Sequence, residues 1–104
     1  MRGDVYRLHS PRGARGHEQQ GSRYAVVVQS DEFEVLSTWL VAPTSTSARP
    51  ATFRPRVEVN GQETLVLPEQ TSAVDPSRLG DRVGHLGFDE LRAVDAALRL
   101  VLSV

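Results

Sequence analysis

Two groups of polar side chains in this sequence could do chemistry together. Glu18, Gln19 and Arg23 lie just before a run of β-branched residues. Three hydroxyl side chains, Thr44, Ser45 and Thr46, follow a second apolar stretch. A carboxylate, an arginine and hydroxyls suit cleavage of a phosphodiester by an internal 2′-hydroxyl, which requires proton transfer and charge stabilisation but no metal. Residue types alone leave two alternatives open: a solvated arginine at a strand end, and a hydroxyl-rich loop without function.

Two predicted strands must bring these groups together. The valine-rich run over 24–29 predicts a buried strand that begins directly after Arg23. Residues 36–42 predict the next strand, which we expect Pro43 to end. In an antiparallel meander the start of one strand lies beside the end of the next, so both groups are expected at one end of a sheet.

The rest of the pattern predicts a small, mainly β domain with a C-terminal helix. Asn60-Gly61 is a strong hairpin signal between strands over 56–59 and 63–67. Asp75 and Pro76 predict one turn of helix. Further strands are expected over 3–9 and 79–86, with a short apolar pair at 73–74. Long loops are expected over 10–21 and, rich in hydroxyls, over 44–55, and a helix over 88–102 from its apolar spacing. Short antiparallel strands with long polar loops favour a curled small barrel.

Composition limits the function classes. The 104 residues predict a single domain over 1–104, and the net charge of −1 excludes a global basic field for nucleic acid. The absence of cysteine, of a signal-peptide core and of a membrane-length apolar run favours a cytoplasmic protein. His9, His17 and His85 lie far apart without neighbouring ligands, so we expect no metal site and no cofactor.

Several stretches, taken in chain order, carry a family resemblance. Residues 16–23 have the form Gly-x-Glu-x-x-Gly-x-Arg before the valine-rich strand, and residues 41–46 end a strand in Pro-Thr-Ser-Thr. Residues 69–75 hold an acidic residue and a glutamine before the short helical turn. With residues 2–6, 78–79 and 82–86, the set resembles the MazF/PemK/Kid toxins of bacterial toxin–antitoxin pairs nearly end to end.

The resemblance implies an SH3-like small barrel of the CcdB/MazF type (α+β) and a metal-independent endoribonuclease. Such enzymes cleave single-stranded RNA to a 2′,3′-cyclic phosphate and a 5′-hydroxyl. Arg23 would carry the family's catalytic arginine, and because arginine stays protonated it is assigned to the phosphate oxygens. Glu18 is the more natural proton acceptor. Ser45 falls at the family's catalytic threonine, with Thr44 or Thr46 as alternatives in another register.

The resemblance also implies binding residues and partners. The RNA-contacting candidates are His17, Gln19, Thr44, Thr46, Glu69 and Gln70, of which His17 is also explained as a plain loop histidine and the last two as strand-end contacts. The implied partners are single-stranded RNA, a second copy of the chain, and a MazE-like antitoxin with an acidic disordered tail, but no membrane.

Three positions depart from the family pattern. Tyr24 stands where proline commonly follows the arginine, Ser45 replaces threonine, and Ser72 replaces a common arginine, which removes a phosphate contact. Rival hypotheses are a CcdB-like toxin that binds DNA gyrase without cutting, a homologue that binds its antitoxin but cuts poorly, and a barrel that binds only a peptide. The pairing of Arg23 with Glu18 and Gln19 favours the nuclease.

Overall fold

A single antiparallel sheet and one helix account for most of residues 1–9 and 23–104, which the computed structural model describes. Short 3-10 helices lie at Asp31–Phe33, Pro68–Gln70 and Pro76–Arg78. The regular elements are β1 (Asp4–Leu8), β2 (Tyr24–Val27), β3 (Trp39–Ser45), β4 (Arg56–Val59), β5 (Gln62–Val66), β6 (Ser72–Val74), β7 (Leu79–His85) and α1 (Phe88–Leu102).

The sheet wraps around β3, which has a different neighbour along each part of its length. The strand order is β4-β5-β3-β2-β1-β7, and β6 also pairs with β3. On one side β3 pairs with β2 from Val41 to Pro43. On its other side it pairs with β6 up to Val41 and with β5 from Thr44 onward. The mainly β fold with a C-terminal helix is therefore confirmed.

Pro43 does not end the third strand, contrary to the prediction from sequence. The strand begins at Trp39 and runs through Pro43 to Ser45. The carbonyl of Pro43 accepts a hydrogen bond from Leu67 N at 2.9 Å, on the side where the partner changes from β6 to β5. Proline has no N–H to donate, and it is tolerated here because it lies between two ladders.

The local signals for the hairpin and the helix are confirmed. Asn60 and Gly61 adopt φ of 54° and 75°, the left-handed values that a two-residue hairpin turn requires. The helix spans Phe88–Leu102 as predicted, although the Phe88 side chain is exposed. At its start, Glu90 accepts hydrogen bonds from Gly87 N at 2.9 Å and from Glu58 N of β4 at 2.8 Å.

The two faces of the sheet bury separate apolar clusters. One cluster holds Val5, Val26 and Ala42 together with Val94 of α1, so the helix covers this face. The opposite face carries a smaller cluster of Ala25, Val27, Val41 and Leu79, flanked by the half-buried rings of Tyr6 and Trp39. Because alternate residues of a strand point to opposite faces, this division decides which polar side chains share a surface.

A buried carboxylate joins β1 to β7. Asp4 accepts from His85 Nδ1 at 2.8 Å and pairs with Arg82 Nε at 3.1 Å and with the amino terminus at 3.3 Å. Burial alone raises the pKa of Asp4, but the hydrogen bonds from His85, Arg82 and the amino terminus lower the pKa below its ordinary value. The carboxylate therefore stays ionised and tied to its partners.

Candidate active site

Arg23 lies directly before β2 and is held by the ladder. Its carbonyl accepts a hydrogen bond from Leu8 N at 3.0 Å, which continues the pairing of β1 with β2. The side chain is half-buried, and its Nε atom is buried with no hydrogen-bond partner in the described part of the chain. A buried donor without an acceptor lowers the free energy of unfolding by about 1–3 kcal/mol. Such a group is rare in folded proteins, so this N–H is a candidate for binding a ligand.

The register of β2 and β3 sets Arg23 and Ser45 on the same face of the sheet. Ala25 pairs with Pro43 in this antiparallel ladder. Arg23 lies two residues before Ala25, and Ser45 lies two residues after Pro43, so the same register places Arg23 opposite Ser45. Side chains two residues apart on a strand share a face. The predicted adjacency of the two strand ends is therefore confirmed, while the catalytic roles of the residues there stay predictions.

Ser45 is the pivot of the turn that follows β3. Its Oγ accepts hydrogen bonds from Ser47 N at 3.2 Å and Ala48 N at 3.0 Å, and lies 3.3 Å from Ser47 Oγ. The side chain is 4% exposed. It borders a pocket of about 150 Å³, lined also by Thr46, Ala48, Pro50, Arg56, Glu63, Thr64 and Leu65. The turn thereby fixes the hydroxyl at the mouth of a polar pocket.

The neighbouring threonines occupy different environments. Thr44 is 2% exposed and pairs with Val66, on the face that α1 covers. Thr46 is exposed beyond the end of β3 and lines the pocket beside Ser45. Of the three candidate hydroxyls, the one that shares the Arg23 face is Ser45. The loop predicted from residue 44 onward therefore starts only after Ser45, because β5 pairs with Thr44 and Ser45.

Glu69 and Gln70 lie in the 3-10 turn Pro68–Gln70, next to β3. A hydrogen bond from Leu67 N to Pro43 O, 2.9 Å long, fastens the beginning of this turn to the strand. The Gln70 side chain is exposed. The Glu69 carboxylate instead forms an ion pair, in which Oε2 accepts from Arg54 Nε at 2.9 Å and from Arg54 Nη2 at 2.7 Å.

Sequence reasoning missed Arg54. It lies fifteen residues before its partner Glu69, in a different loop, so no helix or strand spacing links the two. Its Nη1 also donates to the carbonyl of Arg49 at 2.9 Å, and its guanidinium lies over the Phe53 ring at 5.2 Å. Arg54 thus ties the loop after β3 to the turn that carries Glu69.

The remaining site predictions fall on residues 10–22. Glu18, Gln19 and His17 lie outside the described residues, as does most of the predicted long loop. Within residues 1–9 and 23–104, no group of three His, Cys, Asp or Glu residues could hold a metal ion. In the same part of the chain, α1 falls short of the length and apolar character that a membrane crossing requires.

Comparison with solved structures identifies the fold. An endoribonuclease from a mycobacterial species, solved in complex with its cognate antitoxin, has a TM-score of 0.81 at 17% identity, over 100% of this chain and 95% of that one. MazF from Deinococcus radiodurans has a TM-score of 0.78 at 24% identity, over 99% and 96%. The expected CcdB/MazF-type fold is confirmed, and the chain has the architecture of the MazF class.

Sequence comparison gives the family. The family described as PemK-like, MazF-like toxin of type II toxin-antitoxin system matches residues 1–102. "Putative toxin Rv3098A" of Mycobacterium tuberculosis is 41% identical over 100% of this chain and 98% of its own length. Endoribonuclease EndoA of Bacillus subtilis is 32% identical over 99% and 94%. This chain belongs to the PemK-like, MazF-like toxin family, as the sequence motifs indicated.

Proposed function

We propose that this toxin is an endoribonuclease that cleaves single-stranded RNA without a metal, by attack of the substrate's own 2′-hydroxyl on the adjacent phosphate. The observation that carries this proposal is the buried Nε of Arg23, which has no hydrogen-bond partner among residues 1–9 and 23–104 and lies on the same face as Ser45 at the end of two paired strands. A fixed cation with an unused donor is suited to a phosphate oxygen. The relationship to Endoribonuclease EndoA supports the same reaction class.

Arg23, Ser45 and Glu18 have separate roles in the proposed reaction. The Arg23 guanidinium binds the non-bridging phosphate oxygens and stabilises the negative charge that develops on them. Ser45 Oγ is held in place by hydrogen bonds from Ser47 N and Ala48 N, and in this proposal it takes the place of the family's catalytic threonine at the phosphate. Glu18 takes the proton from the 2′-hydroxyl. The bond from phosphorus to the 5′-oxygen breaks as that oxygen takes a proton from water, and Glu18 returns its proton to the solvent, which leaves a 2′,3′-cyclic phosphate and a 5′-hydroxyl.

The partners of this toxin are inferred from the surface around Arg23 and from the complexes that related proteins form. Solved MazF-type structures include complexes with antitoxins, among them MazE–MazF of Deinococcus radiodurans. In our proposal an acidic antitoxin segment competes with RNA for Arg23 and its surroundings, since carboxylates and phosphates fit the same arginine fork. We further propose a homodimer, RNA contacts from His17, Gln19, Thr46, Glu69 and Gln70, and action on RNA in the cytoplasm.

The test of the reaction uses purified protein with single-stranded RNA in excess chelator. We expect cleavage with 2′,3′-cyclic phosphate ends, and no cleavage at a site where one 2′-hydroxyl is replaced by hydrogen. An otherwise identical RNA with the deoxy position elsewhere is the control. Products with a 3′-hydroxyl, or activity only with added metal, would exclude this mechanism. Protein that binds DNA gyrase and leaves RNA intact would favour the CcdB-like alternative.

The test of the partner uses the same cleavage assay with an acidic peptide from the cognate antitoxin. We expect the peptide to raise the RNA concentration needed for half-maximal rate, and added salt to weaken both interactions because each depends on exposed charge. Inhibition that excess RNA does not relieve would contradict the shared surface.

A further inference from the structure

In the ion pair between Arg54 and Glu69, the arginine binds only one of the two carboxylate oxygens. A carboxylate has two oxygens and about four acceptor positions. Arg54 directs both Nε and Nη2 to the same oxygen, Oε2 of Glu69, at 2.9 and 2.7 Å. The other oxygen, Oε1, has no partner among the described residues. Glu69 therefore offers one oxygen, rather than two, to an incoming ligand.

Neighbouring residues fix both side chains of this ion pair, so the binding of Arg54 to a single oxygen of Glu69 is a stable feature of the fold. Arg54 is fixed by the Arg49 carbonyl at 2.9 Å and by the Phe53 ring at 5.2 Å. Glu69 lies in a 3-10 turn whose preceding residue is bonded to Pro43 of β3. Only about a quarter of each side chain is exposed, 23% and 26%, so solvent screens the pair less than an open surface bridge.

We propose that Arg54 is a positioning residue that determines base specificity: by occupying Oε2 of Glu69, it limits Glu69 to a single hydrogen bond from a nucleobase. This inference rests on the proposed ribonuclease function. Guanine presents two adjacent donors, N1–H and the 2-amino group, which fit both oxygens of a free carboxylate. Cytosine and adenine present one exocyclic amino group beside a ring nitrogen acceptor, which fits a single oxygen. The clamp thus disfavours guanine at the base that meets Glu69.

The experiment compares cleavage preferences across a randomised single-stranded RNA pool, with RNA ends mapped by sequencing for each variant. In Arg54→Ala both oxygens of Glu69 are free, so we expect guanine to gain about 5- to 100-fold relative to the wild-type protein at one position of the site, as a good bidentate pair allows. Arg54→Lys keeps the charge but not the fork, so we expect an intermediate gain.

Two further variants separate recognition from structure. Glu69→Gln in the presence of Arg54 should direct an amide N–H₂ outward, so the preference should move toward bases with an acceptor at that edge, such as uracil. Arg92→Ala removes an arginine that stacks at 5.6 Å on Phe88 of α1 and is not paired with Glu69, and it should leave the preference unchanged. Thermal unfolding of each variant checks that it is folded.

The outcomes are distinct. A wild-type protein that leaves RNA uncut contradicts the proposed function and removes the basis of this inference. If the wild-type protein cuts and Arg54→Ala has an unchanged base preference, the inference alone is wrong. A uniform loss of rate across all sequences, without a change at one position, would make Arg54 a purely structural residue and would also overturn it.

Discussion

Replacing Arg23 with alanine should separate stability from activity. The Nε of Arg23 is buried with no hydrogen-bond partner in the described part of the chain, and removing such a donor relieves about 1–3 kcal/mol. Alanine keeps Cβ but loses the burial of two methylenes, Cγ and Cδ, at about 0.8 kcal/mol each when fully buried, or about 0.8 kcal/mol in total for a half-buried stem. The net expectation is a free energy of unfolding that is unchanged or raised by up to about 2 kcal/mol.

The cleavage rate of the same variant should fall by at least about a hundredfold, because a preorganised charge aimed at the transition state is lost. For a domain of about this size, 1 kcal/mol corresponds to a Tm change of about 4–8 °C. Thermal unfolding and single-turnover cleavage of one preparation therefore measure both effects. The expected signature is an inactive protein that melts no lower than the wild-type protein.

Arg2→Ala is the matched control for the stability effect. Arg2 Nε donates to Val28 O at 3.0 Å, and its Nη2 pairs with Asp95 of α1. Removing this satisfied arginine should lower the free energy of unfolding by about 1–3 kcal/mol and leave the cleavage rate of the folded protein unchanged. Equal losses of Tm in both variants would refute the reasoning about Arg23 Nε. A folded Arg23→Ala protein that cuts at nearly the wild-type rate would refute the active-site assignment.

Three further expectations concern stability. Thr64→Val should raise the free energy of unfolding by about 1 kcal/mol in denaturant titrations, because Thr64 Oγ1 is buried with no partner among the described residues; Thr64→Ser, which keeps the hydroxyl, should not. Asp4 has a lowered pKa in the folded state, so it stabilises the fold above pH 4 or so and this contribution is lost as the pH falls through the folded pKa. Asp4→Asn should therefore flatten the acid side of the stability profile, and an unchanged profile would contradict the link to His85 and Arg82. Val94→Ala should cost about 1–3 kcal/mol, since Val94 is fully buried where α1 meets the sheet, and a smaller loss would mean that the helix repacks.

Patterns among neighbouring residues predicted the strands, the hairpin and the helix. Where the structure differs from the prediction, the difference has a physical cause. The valine run of β2, the Asn60-Gly61 turn and the apolar spacing of α1 each depend on neighbouring residues, so they could be read from the sequence. The continuation of β3 through Pro43 could not, because it depends on a change of partner strand at that residue. Tertiary pairing, not the turn chemistry of the hydroxyl run, decided the structure there.

Only part of the candidate site could be predicted from the sequence. Arg23 and Ser45 could be brought together from strand order alone, since an antiparallel connection fixes which ends meet. The burial of Thr44 beneath α1 depends on the face that the register assigns to it, and a shift by one residue would have placed it on the opposite face, which Arg23 shares. Arg54 joins Glu69 across two loops, and such contacts have no period in the sequence.

The carboxylate of Glu90 has a consequence for how the molecule meets other chains. β4 is the terminal strand of the sheet order, and the outer edge of such a strand is a template for intermolecular strand addition and aggregation. Glu90 Oε2 occupies the N–H of Glu58 on this strand at 2.8 Å, and Oε1 holds Gly87 N at the start of α1. An incoming strand would have to displace a charged acceptor and release the first turn of the helix. Glu90 therefore protects the outer edge of β4 against sheet extension.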